Sequence, residues 1–155
     1  MMITKVHGQL GGVTGTVTYD PSNIGGTEGD VIIPVQTLST GQDQRDAHLK
    51  SPDFFDVEKF PNITFKTTKV VKNGNAFDLF GDLAIHGVNK PIMMTAEITP
   101  EIKTPEGAYK IGVNAKGTIN REEFGMGWNV ALEAGGFLVA KEIQLEIDAE
   151  LERPA

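Results

Sequence analysis

The chain has 155 residues, 39% of them apolar and 23% charged, with no cysteine and a formal net charge of −7. That length suits one domain with a sizeable core, and the composition is that of a folded protein. So acidic a chain lacks the basic stripe that nucleic acids or anionic membranes require, and a chain without cysteine has no disulfide, thiolate nucleophile or Cys-ligated metal site.

The first residues, Met1 to Gly8, show no basic region followed by a long apolar run. No signal peptide is therefore expected, and the expected location is cytoplasmic, or periplasmic or secreted if the true start lies upstream. Nothing approaches the roughly 20 apolar residues of a membrane span. Thr14 to Tyr19 and Asp30 to Leu38 are the first candidate strands. Gly41 to Ser51 breaks the alternation and reads as a short helix near residues 43–51, with Asp43 as N-cap and Pro52 ending it. Phe54, Phe55 and Phe60 follow and are expected to pack that segment on the sheet.

Asn62 to Val71 is the next strand, joined by the Asn-Gly turn of Lys72–Asn75 to a strand carrying Phe77, Leu79, Gly81, Leu83 and Ile85. A connection over Gly87–Pro91 leads to Ile92, Met94, Ala96 and Ile98, so these two runs form a hairpin. After the turn Thr104–Gly107 come Tyr109, Ile111, Val113, Ala115 and Ile119. Phe124 to Val130 and Gly135 to Val139 are shorter candidates. Ile143, Leu145, Ile147, Ala149 and Leu151 alternate with Glu142, Gln144, Glu146, Asp148 and Glu150, one face for the core and one for water.

Many antiparallel strands with dispersed glycines predict an all-β fold, a sandwich or barrel, as one domain over residues 1–155. Gly81, Ala96, Ala115 and Gly117 fall on the inward faces. They either leave a cavity, which a barrel of about eight strands is wide enough to hold, or make room for bulky neighbours in a filled core.

The search for chemistry is mostly negative. His7, His48 and His86 have no metal-ligand spacing, and no nucleophile elbow, phosphate loop or dinucleotide fingerprint is present. No catalytic residue, metal or cofactor is expected, and the chain is not expected to be an enzyme. Arg45 and His48 lie three apart, hence on one helix face, where they could hold a polar head. Alternatively, Arg45 and Asp46 make local contacts that fix the helix. Arg121 leaves a strand end beside Phe124 and Trp128, either to pair with an anion or to satisfy backbone carbonyls in a constrained connection. Met93, Met94 and Met126 suit a pocket for a flexible hydrocarbon, or fill core gaps.

Together these residues resemble the YceI-like family, whose members bind polyisoprenoid or related long-chain lipids in a lipocalin-like barrel. The stretch from Gln44-Arg45-Asp46-Ala47-His48-Leu49 through Asp53-Phe54-Phe55-Asp56 to Pro61-Asn62-Ile63-Thr64-Phe65 is similar to the family's "RD-x-HL…DFFD-V…P-x-ITF" signature. Gly81-Asp82-Leu83-Ala84-Ile85-His86-Gly87-Val88-Asn89-Lys90-Pro91 resembles its "GDLTIHGVTKP" hairpin, and Asn120-Arg121 with Phe124-Gly125 its "NR-x-x-FG" motif.

The resemblance implies an antiparallel lipocalin-like β-barrel that binds, sequesters or carries a polyisoprenoid, isoprenoid quinone or fatty-acid derivative. Phe65, Leu83, Ile85, Met94, Ile111 and Val113 would line the tail, and Arg45, His48 and Arg121 would lie near the head group. Family members begin with a further strand, and this sequence starts just after it, so the first strand is expected to be truncated. The Ile143–Leu151 strand would then expose an edge that a partner chain could close, as a homodimer. Two rival readings remain: an enzyme acting on an isoprenoid or lipid with His48 or His86 as acid/base, and a stress-related structural protein with a filled barrel.

Overall fold

The computed structural model describes residues 6–18, 22–129 and 139–153. In chain order the elements are β1 (Thr14–Thr18), β2 (Glu28–Pro34), α1 (Asp43–Lys50), β3 (Asn62–Asn73), β4 (Ala76–Ile85), β5 (Val88–Ile98), β6 (Ile102–Lys103), β7 (Tyr109–Asn120) and β8 (Glu142–Arg153). All eight strands belong to one antiparallel sheet, in the order β1-β2-β3-β4-β5-β7, with β8 on the far side of β7. β6 continues the line of β5 along the near edge of β7. Among the described residues β8 pairs only with β7 and β1 only with β2, so the sheet curls into a half-barrel without closing.

Two-residue turns set the register of the central hairpins. His86 (φ 55°) and Gly87 (φ 74°) are both left-handed, the conformation a type I′ turn needs to match the twist of its strands. Because these two residues complete the turn alone, β5 starts at Val88 and the expected connection over Gly87–Pro91 is mostly strand. A side chain at position 87 would also strike the Phe60 ring, which packs 4.9 Å from the His86 ring.

β3 carries one extra residue. Thr67 faces Gly81 and Lys69 faces Phe80, which leaves Thr68 as a bulge. The bulge shifts the inward positions from odd (Ile63, Phe65) to even (Val70), and it bends the strand around the core.

α1 is held by polar contacts. Asp46, on its buried side, accepts from both Thr40 N and Thr40 Oγ1. Asp43, expected as the N-cap, is the first helical residue, and the capping position is Gln42, whose side chain makes no cap bond. A carboxylate in the first turn suits the helix dipole. The helix ends at Lys50, with Ser51 extended ahead of Pro52.

The expected strand from Phe124 is instead the last residue of a 3₁₀ turn, Arg121–Phe124, stopped by Gly125 in the left-handed region (φ 77°). Residues 126–129 are not strand. Of the other expected short strand, residues 135–138 lie outside the described residues and Val139 is a bend.

Candidate functional site

The concave face has two unlike ends. At one, Ile33, Phe65, Leu83, Ile85, Met94, Ile119, Phe124 and Met126 pack into a single buried cluster. Each such side chain contributes about 2 kcal/mol through removal from water. The small inward residues do not leave volume here. A Cβ at Gly81 would come within 2.7 Å of the Phe65 ring, and one at Gly117 within 3.1 Å of Met94. Of the two readings of these small residues, the contacts at these two positions fit the second, room made for a bulky neighbour.

At the other end the same face is apolar but, among the described residues, uncovered. Ile111 and Val113 on β7 lie opposite Leu151 and Ala149 on β8, and all four are only half-buried. Ile98, opposite Val113 on β5, is 36% exposed. Along β8 every inward residue from Ile143 to Leu151 stays half-buried, and among the described residues no strand pairs with its outer edge.

A second discontinuity lies between β5 and β7. These strands pair only over Thr95–Ile98 against Val113–Lys116. Beyond that they diverge, leaving a cleft of about 260 Å³ lined by Lys90–Met93 on β5, Thr118–Asn120 on β7, and Glu123 and Phe124. A smaller recess of about 240 Å³ adjoins it at Lys141 and Glu142. Each is below the roughly 300–1,000 Å³ of sites that enclose a whole small ligand.

The three expected head-group residues occupy different settings. Arg45 donates from Nε to Thr40 Oγ1 (2.8 Å) and from an Nη to Thr40 O (3.0 Å), so it braces α1. Arg121 is 2% exposed and donates to the carbonyls of Ala140, Met126, Trp128 and Val139. Four of its five N–H groups are thereby used within the chain. Burial holds this guanidinium below its ordinary pKa, with Glu122 acting in the opposite direction.

His48 is brought to the same junction. Its Nε2 lies 2.8 Å from Asp53 Oδ2, and its ring meets Trp128 (4.6 Å) and Phe54 (5.1 Å) edge-on. The Arg121 guanidinium lies over the Phe54 ring, 5.8 Å from its centroid. His48, Phe54, Trp128 and Arg121 thus form one packed joint between α1 and the 3₁₀ turn, from which Arg45 stands apart on Thr40. His86 Nδ1 is 3.2 Å from Phe124 O, which fits a protonated Nδ1 donating to that carbonyl. Neither histidine contacts a serine or threonine hydroxyl among the described residues.

Of the expected tail residues, Phe65, Leu83, Ile85 and Met94 are buried against one another, Val113 packs against that cluster while staying half-buried, and Ile111 lies beyond it. Sequence reasoning missed the joint at Phe54 and Trp128, which are far apart along the chain. It also missed Lys90, which faces inward beside Val88 and Ile92. A cation at an alternating inward position was the available signal.

The chain matches the YceI-like domain family over residues 1–151. It belongs to the YceI-like family. A UPF0312 protein of Yersinia pestis is 30% identical over 145 residues, covering 94% of this chain and 72% of the relative. A UPF0312 protein of Photorhabdus laumondii is 36% identical over 119 residues, 77% of this chain and 62% of its own. Among solved structures, the Campylobacter jejuni YceI protein is similar over the whole chain and 89% of its own, with a TM-score of 0.81 and 28% identity. BcnA of Burkholderia cenocepacia shares the fold at a TM-score of 0.78 and 18% identity, over 93% of this chain and 86% of its own. YceI-like and UPF0312 are not names of enzymes, and the similar solved YceI structures are β-barrels.

Proposed function

We propose that this YceI-like chain binds and sequesters or carries a long-chain apolar ligand, a polyisoprenoid, isoprenoid quinone or fatty-acid derivative, and is not an enzyme. The observation that carries the reading is the uncovered apolar end of the concave face, where Ile98, Ile111, Val113, Ala149 and Leu151 stay partly in water. A hydrocarbon laid there removes its own surface and theirs from water together, worth about 0.8 kcal/mol per buried CH₂. The family is known to bind polyisoprenoid-like ligands, which supports the same reading. The tail lining moves from the expected Phe65, Leu83, Ile85 and Met94, which are packed, toward Ile111 and Val113. A homodimer is part of the proposal, since the outer edge of β8 has no strand partner among the described residues.

Against an enzyme stand the contacts of its two candidate bases. His48 is bonded to Asp53 and clasped by two aromatic rings, and His86 is engaged by the Phe124 carbonyl. The filled-barrel reading is favoured by the Phe65–Gly81 and Met94–Gly117 contacts, and it describes the packed end only. Solvent extraction of the purified protein followed by mass spectrometry should yield a long-chain lipid in near-stoichiometric amount. Protein that carries none, and takes up none when offered, would overturn the reading.

A further inference from the structure

Among the described residues β8 pairs along all 12 of its residues with β7 and with nothing on its other side. Residues bonded to one neighbour alternate with residues that point the other way, so half of β8 turns its N–H and C=O groups to that free edge. The pairing with β7 runs without a shift in register, and the strand contains no proline, glycine or lysine. Bulges, prolines and lysines are the usual devices that keep an edge from pairing, and β8 has none of them.

The side chains point to the same missing neighbour. Ala96 on β5, Ala115 on β7 and Ile147 on β8 share one rung of the ladder. The first two are 0% and 3% exposed, whereas Ile147 is half-buried, as are Leu145 and Ala149 beside it.

Charge decides what kind of strand fits there. The outward row of β8 is Glu142, Gln144, Glu146, Asp148, Glu150 and Glu152. β7 shows how a neighbour meets it. Lys110 reaches Glu150 at 3.1 Å, Asn114 donates to Glu146 and Asp148, and Lys116 stands directly opposite Glu146. Five carboxylates against these two ammonium groups leave the row negative, so cations at the outward positions of a second neighbour are favoured.

A second copy of β8 is not such a neighbour. Any antiparallel register that keeps both apolar faces on one side sets the two acidic rows opposite each other. Centred on Ile147, it would place Glu146 against Asp148 and Glu142 against Glu152. Like charges so placed destabilise the pair. β1, at the other end of the sheet, has only 5 residues and no charge, so a second copy offering it would leave most of the edge open. A homodimer thus has to meet at a surface other than paired β8 strands.

We propose that the outer edge of β8 takes up, by strand addition, an extended segment of another protein in which apolar residues alternate with lysine or arginine. The edge supplies the ladder of backbone hydrogen bonds. The apolar residues of the segment extend the concave wall beside Leu145, Ile147 and Ala149, and its basic residues meet Glu146, Asp148 and Glu150. This goes beyond the apolar-ligand reading and does not rest on it, so either can fail alone.

The test uses the whole protein and three labelled peptides of about twelve residues, long enough to span the edge. One alternates valine with lysine, one alternates valine with glutamate, and one is a scramble of the first with its lysines contiguous. In anisotropy titrations the alternating lysine peptide should bind about tenfold or more tightly than the scramble, and the glutamate peptide should not bind. Glu146→Gln with Asp148→Asn and Glu150→Gln should weaken the lysine peptide about tenfold. Amide hydrogen exchange supplies the signature of strand addition. In the free protein every second amide of β8 should exchange fast, and the lysine peptide should slow those while leaving the alternate ones, already bonded to β7, unchanged. Failure of the lysine peptide to bind, equal binding of the scramble, or protection that does not alternate along β8 would each overturn the proposal. So would an edge already protected in the free protein, by a second copy if protection rises with concentration and from within the chain if it does not.

Discussion

The two ends of the concave face are built from the same kinds of residue and do different things. At the packed end Phe65, Met94 and Phe124 are each no more than 4% exposed, and even the glycines are in contact with their neighbours' side chains. At the uncovered end Ile111 and Leu151 stand on the same strand faces, half-buried and outside the core cluster among the described residues. The difference comes from what covers each end, not from hydrophobicity. The 3₁₀ turn at Arg121–Phe124 folds over the first, whereas no described segment covers the second. A fold that fills one half of its interior obtains its stability there and leaves the other half free for a ligand.

The sharpest way to break this contrast is to truncate at the packed end. Phe124→Ala should cost about 3–5 kcal/mol, read as a fall in the denaturant midpoint, because the ring leaves a cavity that its neighbours cannot close. An equal, small loss there and at Ile111 would mean the two ends do not differ. Arg121→Ala should cost about 3 kcal/mol, since it strips the charged donor that four carbonyls share at a buried position. Lysine at the same position should rescue little of this, because one ammonium cannot copy the planar fork.

Gly81→Ala should cost about 1–3 kcal/mol by overpacking, since the added methyl meets the Phe65 ring and the Lys66 carbonyl. Ile111→Ala should cost only about 1 kcal/mol, because its side chain is already partly in water. Ile111→Asp should nonetheless weaken uptake of hexadecanol about tenfold or more, through an unpaired carboxylate where the tail would lie. Stability and binding should thus separate at this end and nowhere in the packed one.

The smallest effect concerns pH. The hydrogen bonds from Thr40 hold the Asp46 carboxyl below its ordinary value of 3.8. A carboxyl whose pKa is lowered by folding adds stability above its unfolded value, and that contribution fades as pH falls toward the folded value. Thr40→Val should therefore flatten the acid limb of the stability curve below about pH 4. An unchanged acid limb would mean that the Thr40–Asp46 contact does not couple to folding.

Much of the sheet was legible because alternation is a local signal. Phe77 to Ile85 and Ile143 to Leu151 each declare their inward face without reference to any other strand. The departures arise where geometry overrides the local pattern. His86 adopts the left-handed conformation that shortens its turn to two residues, and a histidine does not advertise this as an Asn-Gly pair does. The joint of His48, Phe54, Trp128 and Arg121 depends on residues up to 80 positions apart, from His48 to Trp128, and no spacing rule spans such distances. For Arg121 the motif was visible, but whether its donors meet a ligand or the chain's own carbonyls is decided by a loop closing back on it. The β5–β7 cleft follows from pairing that stops after four residue pairs, a property of two strands jointly and of neither alone.

The extra residue in β3 has a consequence for how the chain tolerates change in length. Deleting Thr68 would place Thr67 and Lys69 on successive rungs against Gly81 and Phe80, with every inward residue still inward. The ladder would become regular, and the price would be curvature: a flatter wall, a shallower trough and less room above Ile111. One threonine thus tunes the depth of the receptacle without touching anything that would lie inside it.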